Sequence, residues 1–244
     1  MLKTFLCIGG AMLLLTNCKT LSINEVSQTN TTQQVTLGSI GLEKGFILQN
    51  EFNNASIPAY NEPIKVSLIT MPFNKQTFKV FTKANALQST KVDINYIDSI
   101  KNKPTYIKLQ IADKVAVINA LNSEENDDVK VYLNHNPHTN VLMSISMALN
   151  QSDLEAITKA DAVFLTEKGY KTYVLQLYTN AVKTKTIKFN QGVVFAFKGS
   201  NCCWQANKRH QLDIVDLVTE FNSCPYNTYR SAKRAEKKID PFKY

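Results

Sequence analysis

The chain has 244 residues, of which 44% are hydrophobic and 20% charged, and it contains eight glycines. This apolar fraction is that of ordinary globular proteins, and the length provides one large domain or two small ones with a sizeable core. The formal net charge of +8 at pH 7 favours anionic surroundings. Because no G-x-x-x-x-G-K-[ST] pattern occurs, the sequence argues against a P-loop nucleotide-binding protein.

The first apolar segment has the pattern of a secretion signal. Lys3 precedes the run FLCIGGAMLLL, which carries no charge over about eleven residues. A signal-peptide core has about this length, whereas a helix that spans a bilayer needs about 20 apolar residues. Because the chain turns polar directly after Cys18, we expect residues 1–17 to be a signal peptide that the mature protein lacks.

The end of this segment, Leu15-Thr16-Asn17-Cys18, resembles the lipobox of bacterial lipoproteins. The family usually has Gly, Ala or Ser where this chain has Asn17. The resemblance implies cleavage before Cys18 and acylation of that cysteine with a diacylglycerol and a further chain such as palmitate. Two or three acyl chains give stable membrane anchoring, since each buried methylene contributes about 0.8 kcal/mol.

The resemblance also implies a location. Lys19 follows the cysteine, where an aspartate would retain such a lipoprotein in the inner membrane, so the resemblance implies a lipid anchor in the outer membrane of a Gram-negative cell. The alternative is an ordinary cleaved signal and a secreted soluble protein in which Cys18 is not acylated. An A-x-A-like cleavage site would then be expected, and none follows Leu15.

The mature chain divides into a tether and a domain. Residues 18–34 begin with the lipidated cysteine and continue with a stretch rich in Ser, Thr, Asn and Gln, which is typical of a flexible polar tether. We expect residues 35–244 to form a single α+β domain, with short strands or coil before Pro63; a division into two domains near residue 150 is the alternative.

From Pro63 onward, strands and helices are predicted from the spacing of apolar residues. The predicted strands are 64–71, 91–97, 105–111, 140–149, 161–167, 171–179, 185–190 and 192–199. The predicted helices are 74–87, 112–122, 126–136 and 153–160; the second is expected to bury Val115, Ile118 and Leu121, and the last to be capped by Ser152. A hairpin is predicted around Glu167-Lys168-Gly169. This mixed order favours an α+β fold with a mainly antiparallel sheet and several short helices.

Three further cysteines of the mature chain, Cys202, Cys203 and Cys224, are disulfide candidates. Neighbouring residues of an extended chain point to opposite faces, so one of Cys202 and Cys203 can reach Cys224 while the other packs inward. Such a bond closes a loop of roughly twenty residues and stabilises by about 3 kcal/mol in the chain-entropy description. Three free buried thiols are the alternative.

The same region holds the candidate catalytic residues. His210 with Cys202 or Cys203 would form a nucleophile pair, and Asp213 or Asp216 could orient the imidazole. A metal site built from the same sulfur atoms and His210 has suitable donor atoms but no recognised zinc spacing.

Other residues that could bind a metal ion or a nucleotide are better explained by a structural role. His135 and His138 flank Pro137, which favours a polar loop over a zinc site. The glycines of GSIGLEKG lack the dinucleotide-binding spacing. We therefore assign no catalytic residue and no metal ligand, and we predict no cofactor.

Positive charge is concentrated at the carboxyl end. Residues 226–244 contain six Lys and Arg residues against Glu236 and Asp240. This segment is interpreted as a solvated surface, with a contact to an anionic envelope component as the alternative. Three aromatic residues interleave with the charges after Tyr226, too few for a nucleic-acid stacking surface, and export also argues against a nucleic-acid partner.

Two functions remain open. The sequence favours a non-enzymatic lipoprotein that binds or assembles with anionic envelope components or another envelope protein. The alternative is a cell-envelope enzyme that uses the Cys/His site near residues 202–224.

Overall fold

The computed structural model describes residues 28–46, 49–207, 209, 211–219 and 222–237. The predictions for the signal peptide, for Cys18 and for His210 concern residues outside these ranges.

The strands of the described ranges form one antiparallel sheet. These strands are β1 (Thr29–Asn30), β2 (Ile40–Phe46), β3 (Gln49–Ser56), β4 (Ile64–Pro72), β5 (Thr105–Ile111), β6 (Thr139–Ala148), β7 (Ala162–Gly169), β8 (Thr172–Thr179), β9 (Val182–Lys188), β10 (Val193–Ala206) and β11 (Leu212–Val218). Hydrogen bonds join them in the order β1-β10-β6-β5-β4-β7-β8-β9, while β11 pairs with β10 and β2 pairs with both β3 and β6. The predicted hairpin between β7 and β8 is confirmed.

The helices of the described ranges are α1 (Lys75–Leu87), α2 (Lys114–Leu121), α3 (Asp127–His135), α4 (Gln151–Lys159) and α5 (Ala232–Lys237). A large antiparallel sheet accompanied by several helices is therefore confirmed, and the sheet predominates.

The sheet separates two hydrophobic cores. The main core lies on one face and includes apolar residues of α2, α3, α4 and α5, whereas the smaller core lies on the other face beneath α1. Adjacent residues of one strand alternate between them: Ile107 and Met147 belong to the main core, and Tyr106 and Ala148 to the smaller one. β6 lies between β5 and β10 and has side chains in both cores, Val141, Leu142, Ile145 and Met147 in the main one and Ala148 in the smaller one.

Both ends of α1 are fixed by side-chain hydrogen bonds. At the first turn, Asn74 Oδ1 accepts from the Thr77 amide at 2.8 Å, and Thr77 Oγ1 accepts from the Asn74 amide at 2.9 Å, which forms a capping box. After the last turn, the Gln88 side chain donates to the Val194 carbonyl at 2.5 Å and accepts from the Val194 amide at 3.2 Å. Gln88 thus ties the carboxyl end of α1 to β10.

The predicted strand at 91–97 is wrong. The Val92 amide donates to Asn85 Oδ1 at 2.9 Å, and the Lys91 ammonium donates to carbonyl groups at the end of α1. Tyr96 stacks on Phe78 of α1 with ring centroids 4.6 Å apart. The alternating apolar residues of this segment therefore pack against a helix instead of pairing with a strand.

The face that α2 buries also differs from the prediction. Leu121 is buried, but Val115 is 63% exposed and Val117 is completely buried. Val117 and Leu121, four positions apart, lie on the buried side of α2, and Ile118 is partly buried beside them.

The predicted cap of α4 is corrected as well. Asn150, rather than Ser152, precedes the helix, and its Oδ1 accepts from the Asp153 amide at 2.9 Å. Asparagine is as good a cap as serine, so the choice between them depends on where the helix starts.

Residues 28–34, expected to be part of the flexible tether, lie against the sheet. Thr29 and Asn30 pair with β10, and Thr31 is buried. The Gln34 side chain donates to the Phe189 carbonyl at 2.6 Å.

Candidate functional site

One disulfide bond forms within the candidate region. Cys203 and Cys224 are bonded, with Cα atoms 5.7 Å apart and a sequence separation of 21. Cys203 is fully buried in β10, opposite Asp216 of β11. The prediction that one of two adjacent cysteines reaches Cys224 is confirmed, and Cys203 is that residue.

Cys202 is the free cysteine of this region. It lies in the main core with 5% of its surface exposed. Burial raises the pKa of the Cys202 thiol to about 12, so the sulfur keeps its proton at neutral pH. Cys203 has no thiol to ionise, because it is disulfide-bonded. The hypothesis of a Cys–His nucleophile therefore finds no thiolate at either position, and its histidine, His210, lies outside the described residues.

The aspartates proposed to orient that histidine have lysine partners. Lys130 Nζ lies 3.0 Å from Asp213 Oδ1, and Lys114 forms an ion pair with Asp216. These pairs join α2 and α3 to β11. In the part of the chain that the structure describes, no group of three His, Cys, Asp or Glu side chains is placed to hold a metal ion.

Residues 222–237, which include Cys224 and return to β10, are called the strap. The Trp204 amide donates to the Tyr229 carbonyl at 2.7 Å, and the Tyr229 amide donates to the Trp204 carbonyl at 2.9 Å. Ala232 and Ala235 of α5 then enter the main core. The disulfide, this backbone pair and the alanines fix the strap at three successive positions.

Arg230 of the strap is held by oxygen acceptors. Its guanidinium group donates to Asn201 Oδ1 at 3.1 Å, to the Thr219 carbonyl at 3.0 Å and to the Asn222 carbonyl at 2.6 Å. These bonds fix the position of the Arg230 guanidinium group. From the sequence, Arg230 was only one of several cations in a basic segment.

An open polar groove lies beside Arg230 and has a volume of about 700 Å³. Its lining residues are Glu43, Pro137, His138, Asn140, Asn201, Arg230, Ser231 and Arg234. Two guanidinium groups, an imidazole and two amide groups thus share the groove with one carboxylate, which accepts from Thr29 Oγ1 at 2.8 Å. This composition suits a ligand that carries negative charge or hydrogen-bond acceptors.

Most residues of this groove were not predicted from the sequence. Asn140 and Asn201 lie opposite each other on β6 and β10, although they are far apart in the chain. Each strand contains several other polar residues, so nothing in the sequence singles out this pair. His138, interpreted as a loop residue, lies directly before β6 and lines the groove.

Two glycines of GSIGLEKG, Gly38 and Gly41, have structural roles. Gly38 has a φ of +82°, which side-chain-bearing residues rarely adopt. A Cβ atom at Gly41 would lie 2.2 Å from the Asn53 carbonyl oxygen and 2.7 Å from the Phe52 ring. Both positions therefore require glycine for the path of the chain around β2.

Comparisons with known proteins add little to this geometry. No protein-family model matches the chain, and no curated protein matches it. Among solved structures, the chain is similar to the cryo-EM structure of the gasdermin A3 membrane pore, with 9% sequence identity over 82% of this chain and 91% of that chain. The TM-score is 0.32, which carries no argument about function. None of the helices in the described ranges has the length and hydropathy needed to cross a bilayer.

Proposed function

We propose that this chain is a lipoprotein held by acylated Cys18 in the outer membrane of a bacterial envelope, where its folded part is a non-enzymatic binding or assembly component. The observation that carries the proposal is the disulfide between Cys203 and Cys224. Disulfides persist in exported proteins and are rare in the cytosol. An exported chain whose apolar run stops at Cys18 matches the lipoprotein pattern.

The arrangement of the described residues supports binding over catalysis. The thiol of Cys203 is used in a structural bond, and that of Cys202 is buried and protonated. The groove lined by Arg230 and Arg234, in contrast, presents two positive charges to a ligand, and hydrogen bonds to Asn201, Thr219 and Asn222 fix the position of Arg230. A partner with anionic groups, either an envelope component or another envelope protein, suits this surface.

The anchor is tested at the mature amino terminus. Mass spectrometry should find a chain that begins at Cys18 and carries acyl chains, and labelled palmitate should enter the wild type but not a Cys18→Ser variant. The wild type should remain with outer-membrane fractions, whereas the variant should be released from them. An unmodified Cys18 in the mature protein would refute the anchor.

The binding role is tested in intact cells by crosslinking and identification of the captured partner. Arg234 and Lys233 are neighbouring exposed cations of α5, but of the two only Arg234 lines the groove. Arg234→Ala should therefore reduce capture of the partner, while the matched control Lys233→Ala should retain it. Equal capture by both variants at equal protein levels would exclude the groove as the binding surface.

A further inference from the structure

The exposed side of α1 is basic. Lys75, Lys79 and Lys83 follow one another at four-residue intervals and are all exposed, so they form one stripe along the helix. The opposite side buries Phe81 and Ala84 in the smaller core. The helix sequence KQTFKVFTKANAL contains no acidic residue that could neutralise the stripe.

The sheet beside α1 continues this charge. Lys108 of β5 lies opposite Ser146 of β6, and Lys198 of β10 lies opposite Ser144 of β6, so the two lysines flank β6. They share a face with Tyr106, which packs beneath α1 two residues before Lys108. Partial burial and the charge of Lys108 lower the pKa of Lys198. Neither lysine side chain forms a hydrogen bond or ion pair with another described residue.

Exposed aliphatic side chains accompany these lysines. Ile69 of β4 lies directly opposite Lys108 and is 49% exposed, and Leu87 at the end of α1 is 63% exposed. Ile97 is 49% exposed in the loop that Tyr96 holds against α1. Basic side chains mixed with exposed aliphatic ones are typical of surfaces that lie in a membrane interface.

The few carboxylates near α1 offset only part of this charge. Asp98 is paired with Lys103, whose Nζ lies 3.3 Å from its Oδ1, and it also interacts electrostatically with Lys75. Asp93 is the other acid of the same loop. The opposite face of the sheet carries charges of both signs, since Lys114, Lys130, Lys159 and the cations of α5 lie on the same side as the acidic residues of α2, α3 and α4. The helices α2, α3 and α4 and the turns that precede them carry the acidic residues Asp113, Glu124, Glu125, Asp127, Asp128, Asp153 and Glu155.

The chain joins the folded part on the basic side. The Gln28 side chain donates to Ser144 Oγ at 3.0 Å and accepts from Ser146 Oγ at 2.5 Å, between Lys108 and Lys198. Gln28 follows Cys18 by ten positions, so the intervening chain reaches at most about 35 Å. An anchor at Cys18 therefore keeps Gln28 within about 35 Å of the bilayer.

We propose that Lys75, Lys79, Lys83, Lys108 and Lys198, which we call the basic face, dock on the anionic phospholipid surface of the membrane that holds the lipid anchor. The docking orients the acidic helices α2, α3 and α4 away from the bilayer. This inference rests on the proposed lipoprotein function, because the anchor supplies the proximity that makes weak surface charges effective.

The first experiment measures binding without the acyl chains. The mature chain, residues 18–244 with Cys18→Ser, is mixed with vesicles of phosphatidylethanolamine and phosphatidylglycerol, and its bound fraction is determined by flotation. Each lysine near an anionic surface contributes roughly fivefold to the partition constant, so Lys75→Glu/Lys79→Glu/Lys83→Glu should lower it by at least about a hundredfold. Raising the salt to about 1 M should release the parent chain, because the screening length falls to about 3 Å.

A matched triple variant, Lys159→Glu/Lys233→Glu/Lys237→Glu, serves as the control. These lysines are exposed on α4 and α5, which pack on the other face of the sheet. The control should bind within about twofold of the parent chain, since its charges lie away from the membrane. A larger loss in the control than in the α1 variant would overturn the proposal and assign the contact to the carboxyl-terminal cations.

The second experiment uses the acylated wild type in the same vesicles. A membrane-impermeant amine reagent should modify Lys79 and Lys83 several times more slowly than in vesicles of phosphatidylcholine, while Lys159 and Lys233 react equally in both. Equal reactivity of α1 in both vesicles would refute docking even when the anchor is present.

If the wild type is not acylated, mass spectrometry shows it, and the flotation result still decides whether the basic face binds anionic lipid. Binding to an acidic polysaccharide but not to the vesicles would also overturn the proposal.

Discussion

Cys203 and Cys224 are joined by a disulfide next to the point where Trp204 and Tyr229 exchange two backbone hydrogen bonds. The covalent bond and the backbone pair therefore hold the same strap on β10. The strap carries Arg230 and Arg234, so the shape of the groove depends on this attachment. Loss of the disulfide should affect both global stability and the order of the groove.

We predict that Cys224→Ser lowers the free energy of unfolding by about 3 kcal/mol, because the unfolded chain gains the entropy of an open loop. Urea unfolding with the wild type in parallel measures this change. Reduction of the wild type should lower its stability to nearly the same value, whereas reduction should leave the variant unchanged. A reduced wild type that keeps its full stability would contradict the prediction.

A second prediction concerns the number of reactive thiols. Native mature protein should react negligibly with a thiol reagent at pH 8, because Cys202 is buried and its pKa is about 12. After unfolding without a reductant, one thiol per chain should react, and Cys202→Ala should abolish that reaction. Two reactive thiols would reveal an unacylated Cys18, and rapid reaction of the native protein would show that Cys202 is accessible.

Elements whose pattern depends only on neighbouring residues were predicted well, whereas those that depend on distant parts of the chain were not. The strand from Ile64 and the helix from Lys75 follow alternation and helical spacing, and both were predicted nearly to their ends. The alternation at Val92 and Tyr96 was misleading, because a neighbouring helix can satisfy the same pattern as a partner strand. β11 was not predicted, since its pairing with β10 is a tertiary feature.

The groove and the basic face were harder to predict for the same reason. Asn140 and Asn201 are adjacent only because β6 and β10 pair, and Lys108 and Lys198 flank β6 by register. The stripe at Lys75, Lys79 and Lys83 is an exception, because its four-residue spacing is visible in the sequence. A disulfide to Cys224 was predictable from the three cysteines and from the extended chain at Cys202 and Cys203. Which of these two cysteines forms it depends on which face of β10 each side chain occupies, and the sequence does not show that.

Alkaline pH should destabilise the protein through its buried acids. Burial raises the pKa of the Cys202 thiol from 9.0 to about 12, the pKa of Tyr173 from 10.0 to about 12, and the pKa of Tyr60 further above its usual value. Folding keeps these groups protonated, and the stability of the protein does not change with their ionisation below about pH 9, the pKa of the thiol in the unfolded chain. As the pH rises from 9 toward 12, the groups ionise in the unfolded chain first, so the free energy of unfolding falls. Each group adds a slope of about 1.4 kcal/mol per pH unit once its unfolded form ionises.

Urea unfolding at several pH values above about pH 8 measures this slope. Cys202→Ala should remove the part that begins near pH 9, while the tyrosine part that begins near pH 10 remains. An unfolding free energy that is independent of pH in this range would show that these groups ionise equally well in the folded protein.

The last prediction concerns the attachment of α1 to the sheet. Gln88 is 5% exposed, and its side chain satisfies both the amide and the carbonyl group of Val194. Gln88→Ala leaves these buried groups without that partner, so the free energy of unfolding should fall by about 1–3 kcal/mol. Gln110→Ala, at an exposed position of β5, is the matched control and should change stability by less than about 0.5 kcal/mol. Since Gln88 holds α1 in place, hydrogen exchange of the α1 amides should also accelerate in Gln88→Ala. Unchanged exchange together with unchanged stability would mean that the packing of Phe81 and Ala84 alone fixes the helix.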